Sequence, residues 1–230
     1  MGLDWNPMAK PRAGFEAEFV RVFKELEGRA APERKGILAA IFRPRSLTEA
    51  ERDTRIARFR EISEPPYEAL GAPRVGHDDA ADAWLREKLE ATGTAATYAT
   101  TREEMRGFYV LDLLPPCDGF PSYTNNGAYE GLDRYSFRGS FLKDVEDALG
   151  PDLMERAYST MLAEELVEYG AALLEAAMRF AQANGVEHVG SAPPADFDEG
   201  SPETRADILF SAARWCLFWG RRGHGMEPWF

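Results

Sequence analysis

The stretch Ser201-Pro202-Glu203-Thr204-Arg205-Ala206-Asp207-Ile208-Leu209-Phe210-Ser211-Ala212-Ala213-Arg214-Trp215-Cys216-Leu217-Phe218-Trp219-Gly220 decides the fold class. Its first three residues are a helix start: a capping hydroxyl, a proline whose missing N–H costs nothing in the first turn, and an acid beside the positive end of the helix dipole. Behind them, Ile208 to Trp219 is apolar nearly all round. A surface helix shows one apolar stripe, whereas a helix apolar on every side must be buried by its neighbours. The segment therefore predicts a central buried helix and a mainly α protein built around it.

Working outward, the remaining pattern is helical as well. Phe15, Phe19, Val22, Phe23 and Leu26 recur at helical spacing, with Gly28 as the stop. A shorter apolar patch lies at Ile37, Leu38, Ile41 and Phe42. Ser46 with Glu49 reads as a capping box opening a charged helix to about Ile62, before Pro65-Pro66. Residues 64–77, rich in Pro and Gly, read as irregular. Asp79 opens a helix that carries Ala81, Trp84, Leu85 and Leu89, and Thr101 with Glu104 opens a turn or short helix. Phe108–Leu114 is the best strand candidate, between Gly107 and Pro115-Pro116. Phe141 to Leu149 predicts a short helix. Pro151 to Ala183 predicts the longest one, with Leu162, Leu166, Tyr169, Leu173 and Phe180 on one stripe and Asn184-Gly185 as its end. Val186–Val189 reads as extended. The expectation is a single compact helical domain over 1–230 with at most a minor β element. Its core combines the helices at 15–26, 79–92, 151–183 and 202–219, and a long irregular loop spans about 113–139.

Composition limits the partners. At 230 residues, 44% of them hydrophobic, the chain can hide roughly 70% of its unfolded surface and needs no covalent staples. A net charge of −12 opposes nucleic acid and anionic membranes, both of which select clustered positive charge. The arginines Arg43, Arg45, Arg52, Arg55, Arg58 and Arg60 are interleaved with Glu49, Glu51, Asp53 and Glu61, which reads as a salt-bridged surface helix. With two cysteines, Cys117 and Cys216, and neither a signal peptide nor a membrane-spanning run, the expectation is a soluble cytoplasmic protein. Asn6 stands where myristoylation of Gly2 would want Ser or Thr. The preference for Arg over Lys, with abundant Ala and Gly, fits a GC-rich bacterial genome.

No catalytic, phosphate-loop or dinucleotide fingerprint is present, so no cofactor is expected. No metal is expected either. His77-Asp78-Asp79 and Glu187-His188 lack the second half of a known spacing, and Glu164, Glu168 and Glu175 lack the Glu-x-x-His pairs of a di-iron bundle. The candidate site is the loop from Asp112 to Arg138. There Asp118, Tyr123, Asn125, Tyr135, Ser136 and Arg138 mix polar groups that orient a ligand with aromatics that wall it. Arg138 is the residue whose planar fork suits a carboxylate or phosphate. The same residues also suit a loop pinned to the body by burial, with Asn126-Gly127 as a turn. Cys117 is the candidate nucleophile, with His77, His188 or His224 as a base, and Cys216 reads as core.

The segments MGLDWNP at the start, CDG at 117–119 and SFRGSFL at 136–142 resemble a group of uncharacterised bacterial proteins. The resemblance implies no activity, and it marks Trp5, Cys117, Asp118, Tyr135, Ser136 and Arg138 as the first residues to substitute. Three functions follow as expectations. The first is binding of a small, anionic molecule near residues 112–138, with the C-terminal aromatics closing over it. The second is an interaction or structural protein, homodimeric, docking through Trp5, Trp229 and Phe230. The third is a cysteine-dependent hydrolase or transferase.

Overall fold

Ser201 is extended and its hydroxyl accepts from the Thr204 amide, so the helix opens with Pro202 in its first turn as the sequence predicts. A computed structural model describes residues 2–28, 47–92, 97–114, 136–194, 198 and 200–229. Among them the chain order is β1 (Asp4–Pro7), β2 (Lys10–Pro11), α1 (Glu16–Leu26), α2 (Glu49–Glu61), β3 (Ser63–Glu64), α3 (Pro66–Ala69), α4 (Asp79–Thr92), α5 (Tyr98–Glu104), α6 (Glu146–Arg156), α7 (Ala163–Asn184), α8 (Pro202–Gly220) and β4 (Met226–Trp229). Short 3-10 stretches lie at Leu111–Leu113, Gly139–Val145 and Glu187–Gly190. The fold is mainly α, with two small two-stranded sheets among the described residues. None of the helices there is long and apolar enough to cross a membrane. The chain divides into two compact units, Met1–Met8 with Pro66–Phe230, and Ala9–Pro65.

In the first unit α7 and α8 pack against each other at close range. A Cβ on Gly170 of α7 would stand 2.8 Å from the Cys216 Cβ, and one on Gly220 of α8 would stand 2.7 Å from Val167 Cγ2. Small residues are what let the two backbones approach. Leu166, Tyr169, Leu173, Ala176 and Ala177 of α7 and Ile208, Leu209, Ala212, Trp215 and Trp219 of α8 are buried in one core with Trp5, Phe137, Leu142 and Met226.

A short ladder closes that core. β1 runs antiparallel to β4, with Trp5 opposite Pro228. Phe137 pairs with Trp5 through two backbone hydrogen bonds of 2.7 and 2.9 Å, and Met161 pairs with Met226 through bonds of 3.0 and 2.8 Å. Trp5 is fully buried, its indole Nε1 donates to the Ala157 carbonyl at 2.9 Å, and its ring contacts Phe137, Tyr169 and Trp215 at 4.9, 5.8 and 5.7 Å between centroids. Burial with a satisfied N–H is the arrangement a tryptophan needs in a core. Trp5 is therefore a core residue and not the exposed docking aromatic expected of it.

The ladder also explains a difference from the sequence pattern. The expected long helix over 151–183 is two helices, α6 and α7, because Met161 leaves the helical path to pair with Met226. The Glu165 carboxylate then accepts from the Leu162 amide at 2.8 Å and restarts the helix. The expected strand at 108–114 makes one bridge, Tyr109 with Arg74, and turns into a 3-10 stretch. Residues 187–190 are likewise 3-10 and not extended. The short helix expected from Phe141 to Leu149 is divided: its first part belongs to the 3-10 stretch Gly139–Val145 and its last part opens α6. α4 contributes to a separate small core with Val75, Ala81, Leu85 and Val110, so it does not share the main core as expected.

The second unit is described by α1, α2, β2 and β3. Phe19, Val22 and Phe23 of α1 are buried, and Phe19 lies 4.5 Å from Phe59 of α2 between ring centroids. The capping box of α2 is Thr48 with Glu51, two residues beyond the expected Ser46 and Glu49. Two of the expected arginines are salt-bridged, mainly to α1: Arg58 to Glu18 at 2.9 Å and Arg55 to Glu25 at 2.7 Å, beside the local pair Arg58–Glu61 at 2.8 Å; Arg43 and Arg45 lie outside the described residues. Ile37–Phe42 and Ser46 lie outside the described residues.

Candidate functional site

Of the residues the sequence singles out in the 112–138 loop, the described ones are Asp112, Ser136 and Arg138. Cys117, Asp118, Tyr123, Asn125 and Tyr135 lie outside the described residues, as does Phe230. Ser136 is buried beside Phe137, whose backbone is held by Trp5. Arg138 sits one residue past that pairing and keeps 33% of its side chain accessible, with its Nε 3.3 Å from Asp4 Oδ1. The β1 strand thus positions both partners: Trp5 anchors the backbone of 137, and Asp4 orients the neighbouring guanidinium. Asp112 lies 3.9 Å from Lys88 Nζ.

The other sequence candidates separate in space or stay on the surface. His77 and His188 are exposed, while His224 is fully buried with its Nδ1 2.7 Å from the Met8 carbonyl oxygen. Glu164, Glu168 and Glu175 lie on the exposed face of α7, with Glu175 3.9 Å from Arg179. No group of His, Cys, Asp and Glu among the described residues could hold a metal ion. Cys216 is fully buried against Gly170, and its desolvated surroundings push the thiol well above its ordinary value, which leaves it without thiolate chemistry.

A second polar group was not anticipated from the sequence. Asp207, Ser211 and Arg214 stand at positions i, i+4 and i+7 of α8, so at 3.6 residues per turn they share one face. That face is roughly opposite the one where Cys216 and Gly220 meet α7. Arg214 Nη2 donates to the Ser211 hydroxyl at 3.0 Å and to Asp207 Oδ1 at 3.3 Å, and Ser211 donates to the same Oδ1 at 3.3 Å. Asp207 and Ser211 are buried, and Arg214 retains 36% of its side chain in contact with solvent. Burial pushes the Asp207 carboxyl above its ordinary value; the charge of Arg214 and the hydrogen bonds from Ser211 and Arg214 pull the other way without cancelling it.

The chain matches no family model, no curated protein and no solved structure.

What the arrangement can do follows from its chemistry. A carboxylate and a hydroxyl hold a guanidinium through one of its nitrogens, and the arginine that carries it is partly exposed. An oriented arginine fork matches carboxylate and phosphate geometry. The signal was in the sequence as three polar residues at one helical phase within an apolar run, diluted by the apolar residues around them.

Proposed function

We propose that this protein binds a small molecule bearing an anionic group, with Arg214 as the contact and Asp207 and Ser211 holding it in orientation. The observation that carries the reading is the Asp207–Ser211–Arg214 group, with its carboxylate and hydroxyl buried and its arginine partly exposed, in the otherwise apolar run Ala206 to Trp219. Replacing buried ion pairs by apolar side chains of similar volume is often neutral or stabilising, so stability alone is a poor reason for a fold to keep one. Displaced carboxyl pKa values concentrate at functional sites for the same reason. Arg138, oriented by Asp4 and one-third exposed, is the second arginine with this character, and it keeps residues 136–138 within the proposal.

The test is thermal unfolding of the full chain with inorganic phosphate, acetate, succinate and a wider panel of anionic metabolites. A ligand at a hundred times its dissociation constant adds about 2.7 kcal/mol. At roughly 2–4 °C per kcal/mol that raises Tm by about 5–10 °C. The rise is expected to vanish in Arg214→Gln. If it vanishes in Arg138→Gln and survives in Arg214→Gln, the site lies beside residues 136–138. A panel without any shift, on cleanly folded protein, overturns the reading.

A second reading is self-association through the β4 strand, favoured by Trp229, which is 62% exposed. Aromatic side chains are frequent anchors of interfaces. A strictly monomeric mass in solution, unchanged in Trp229→Ser, removes it.

A further inference from the structure

The two ends of the unit Ala9–Pro65 meet each other. β2 and β3 pair antiparallel, Lys10 opposite Glu64 and Pro11 opposite Ser63. Lys10 Nζ lies 3.4 Å from the Glu64 carboxylate, and the Arg12 amide donates to the Ile62 carbonyl at 2.8 Å. The two ends of the segment are thus fastened to each other by backbone and side chain alike. Inside it, Phe19, Val22, Phe23 and Ile62 are buried, and the α1–α2 pairing is held by Arg58 on Glu18 through two hydrogen bonds of 3.0 and 2.9 Å.

The first unit holds the residues that lead into this segment. The Met8 amide donates to the Gly225 carbonyl at 2.9 Å, and the Met8 carbonyl oxygen lies 2.7 Å from His224 Nδ1. Residues 4–7 are fixed in the ladder with β4. The chain therefore interrupts one folded body between Met8 and Pro66 with a second that brings its own ends together. Insertions are tolerated where the ends of the inserted body are close.

We infer that residues 9–65 form an inserted module that unfolds and refolds as its own cooperative step while the ladder and the α8 polar group of the first unit stay intact. Proteins open in contiguous units whose free energies follow their buried apolar contacts. The module buries Phe19, Val22, Phe23 and Ile62 and relies on partly exposed ion pairs, whereas the first unit buries the large cluster around Trp5, Trp215 and Trp219. The module is accordingly the less stable of the two.

The composition supplies a clean probe. All five tryptophans (Trp5, Trp84, Trp215, Trp219 and Trp229) lie outside residues 9–65, as do all eight tyrosines. Intrinsic fluorescence therefore follows the first unit alone, while far-ultraviolet circular dichroism follows helices of both. In the full chain carrying Phe19→Ala, urea is expected to produce an early loss of helical signal with fluorescence unchanged, then a second transition seen by both probes. Native-state hydrogen exchange is expected to show protection in α1 and α2 falling at least about a hundredfold, with α7 and α8 unaffected. Leu173→Ala in the first unit serves as the converse, lowering the fluorescence transition and leaving α1 and α2 protection in place. Coincident transitions by both probes in Phe19→Ala, or equal loss of protection in all four helices, overturn the inference. Neither result bears on anion binding, so the two proposals fail separately.

Discussion

α8 is buried on nearly every side, and α2 has no fully buried residue. Both open with a side-chain oxygen accepting from a backbone amide, Ser201 to Thr204 in one and Thr48 to Glu51 in the other. Beyond the first turn they are held by different physics. α8 is fixed by volume: Gly170 and Gly220 bring backbones so close that a methyl group does not fit. α2 is fixed on α1 by charge and one aromatic contact, through Arg55 and Arg58 on the glutamates of α1 and Phe59 on Phe19. A cap says where a helix begins, and only the character of its faces says what will hold it. The first region should fail when packing is altered, and the second should answer to charge as well as to packing.

The largest break in that contrast is expected at Trp5, which ties the ladder to α8 and donates to Ala157. Trp5→Ala should cost about 3–5 kcal/mol by chemical denaturation, since it leaves a cavity and an unpaired carbonyl. A cost below about 1 kcal/mol would show that the ring is not a core element. Next comes Gly170→Ala. Helix propensity alone would reward it with about 1 kcal/mol. The Cys216 Cβ in its way costs about 1–3 kcal/mol, so the net change is expected to be destabilising. A gain in stability would break the volume argument for α8.

The capping box of α2 sharpens the other side. Thr48→Ala is expected to cost about 1 kcal/mol, read as faster amide exchange in the first turn of α2. Acid gives the smallest effect and the clearest sign. The Arg58 and Arg55 guanidiniums hold the carboxyls of Glu18 and Glu25 below their ordinary value of 4.5. A lowered folded pKa means stability that is present above that value and lost as pH falls through the lowered one. Asp207 has the opposite sign: its raised pKa makes the folded state bind the proton more tightly, so stability declines as pH rises from its ordinary 3.8. Wild type should therefore lose ground against Asp207→Asn over that rise, and a difference that does not change with pH would remove the burial argument for Asp207.

Much of this was readable in the chain and some could not be. Ser201-Pro202-Glu203 and the apolar run behind it were decisive because a helix start is a local event. At the start of α2 both Ser46 with Glu49 and Thr48 with Glu51 satisfy the capping pattern, and nothing local selects between them. The break between α6 and α7 was invisible for a stronger reason: Met161 is drawn out of the helix by Met226, far along the chain. Phe108–Leu114 has strand composition, but a strand exists only with a partner, and Arg74 supplies one residue of pairing. At the candidate site, residue type pointed to Arg138 without showing that Asp4 orients it. Asp207, Ser211 and Arg214 went unnoticed because three polar residues among many apolar ones become a site only when burial sets their cost, and burial is a property of the folded chain.

On the proposed reading, the polar group on α8 serves binding and not stability. The direct measurement is the urea midpoint, and the anion-induced rise in Tm, of the combined variant Asp207→Leu, Ser211→Ala and Arg214→Met. The account predicts a midpoint equal to or above that of wild type, with the rise in Tm abolished. A midpoint clearly below that of wild type, or a Tm rise that persists in the variant, would contradict it.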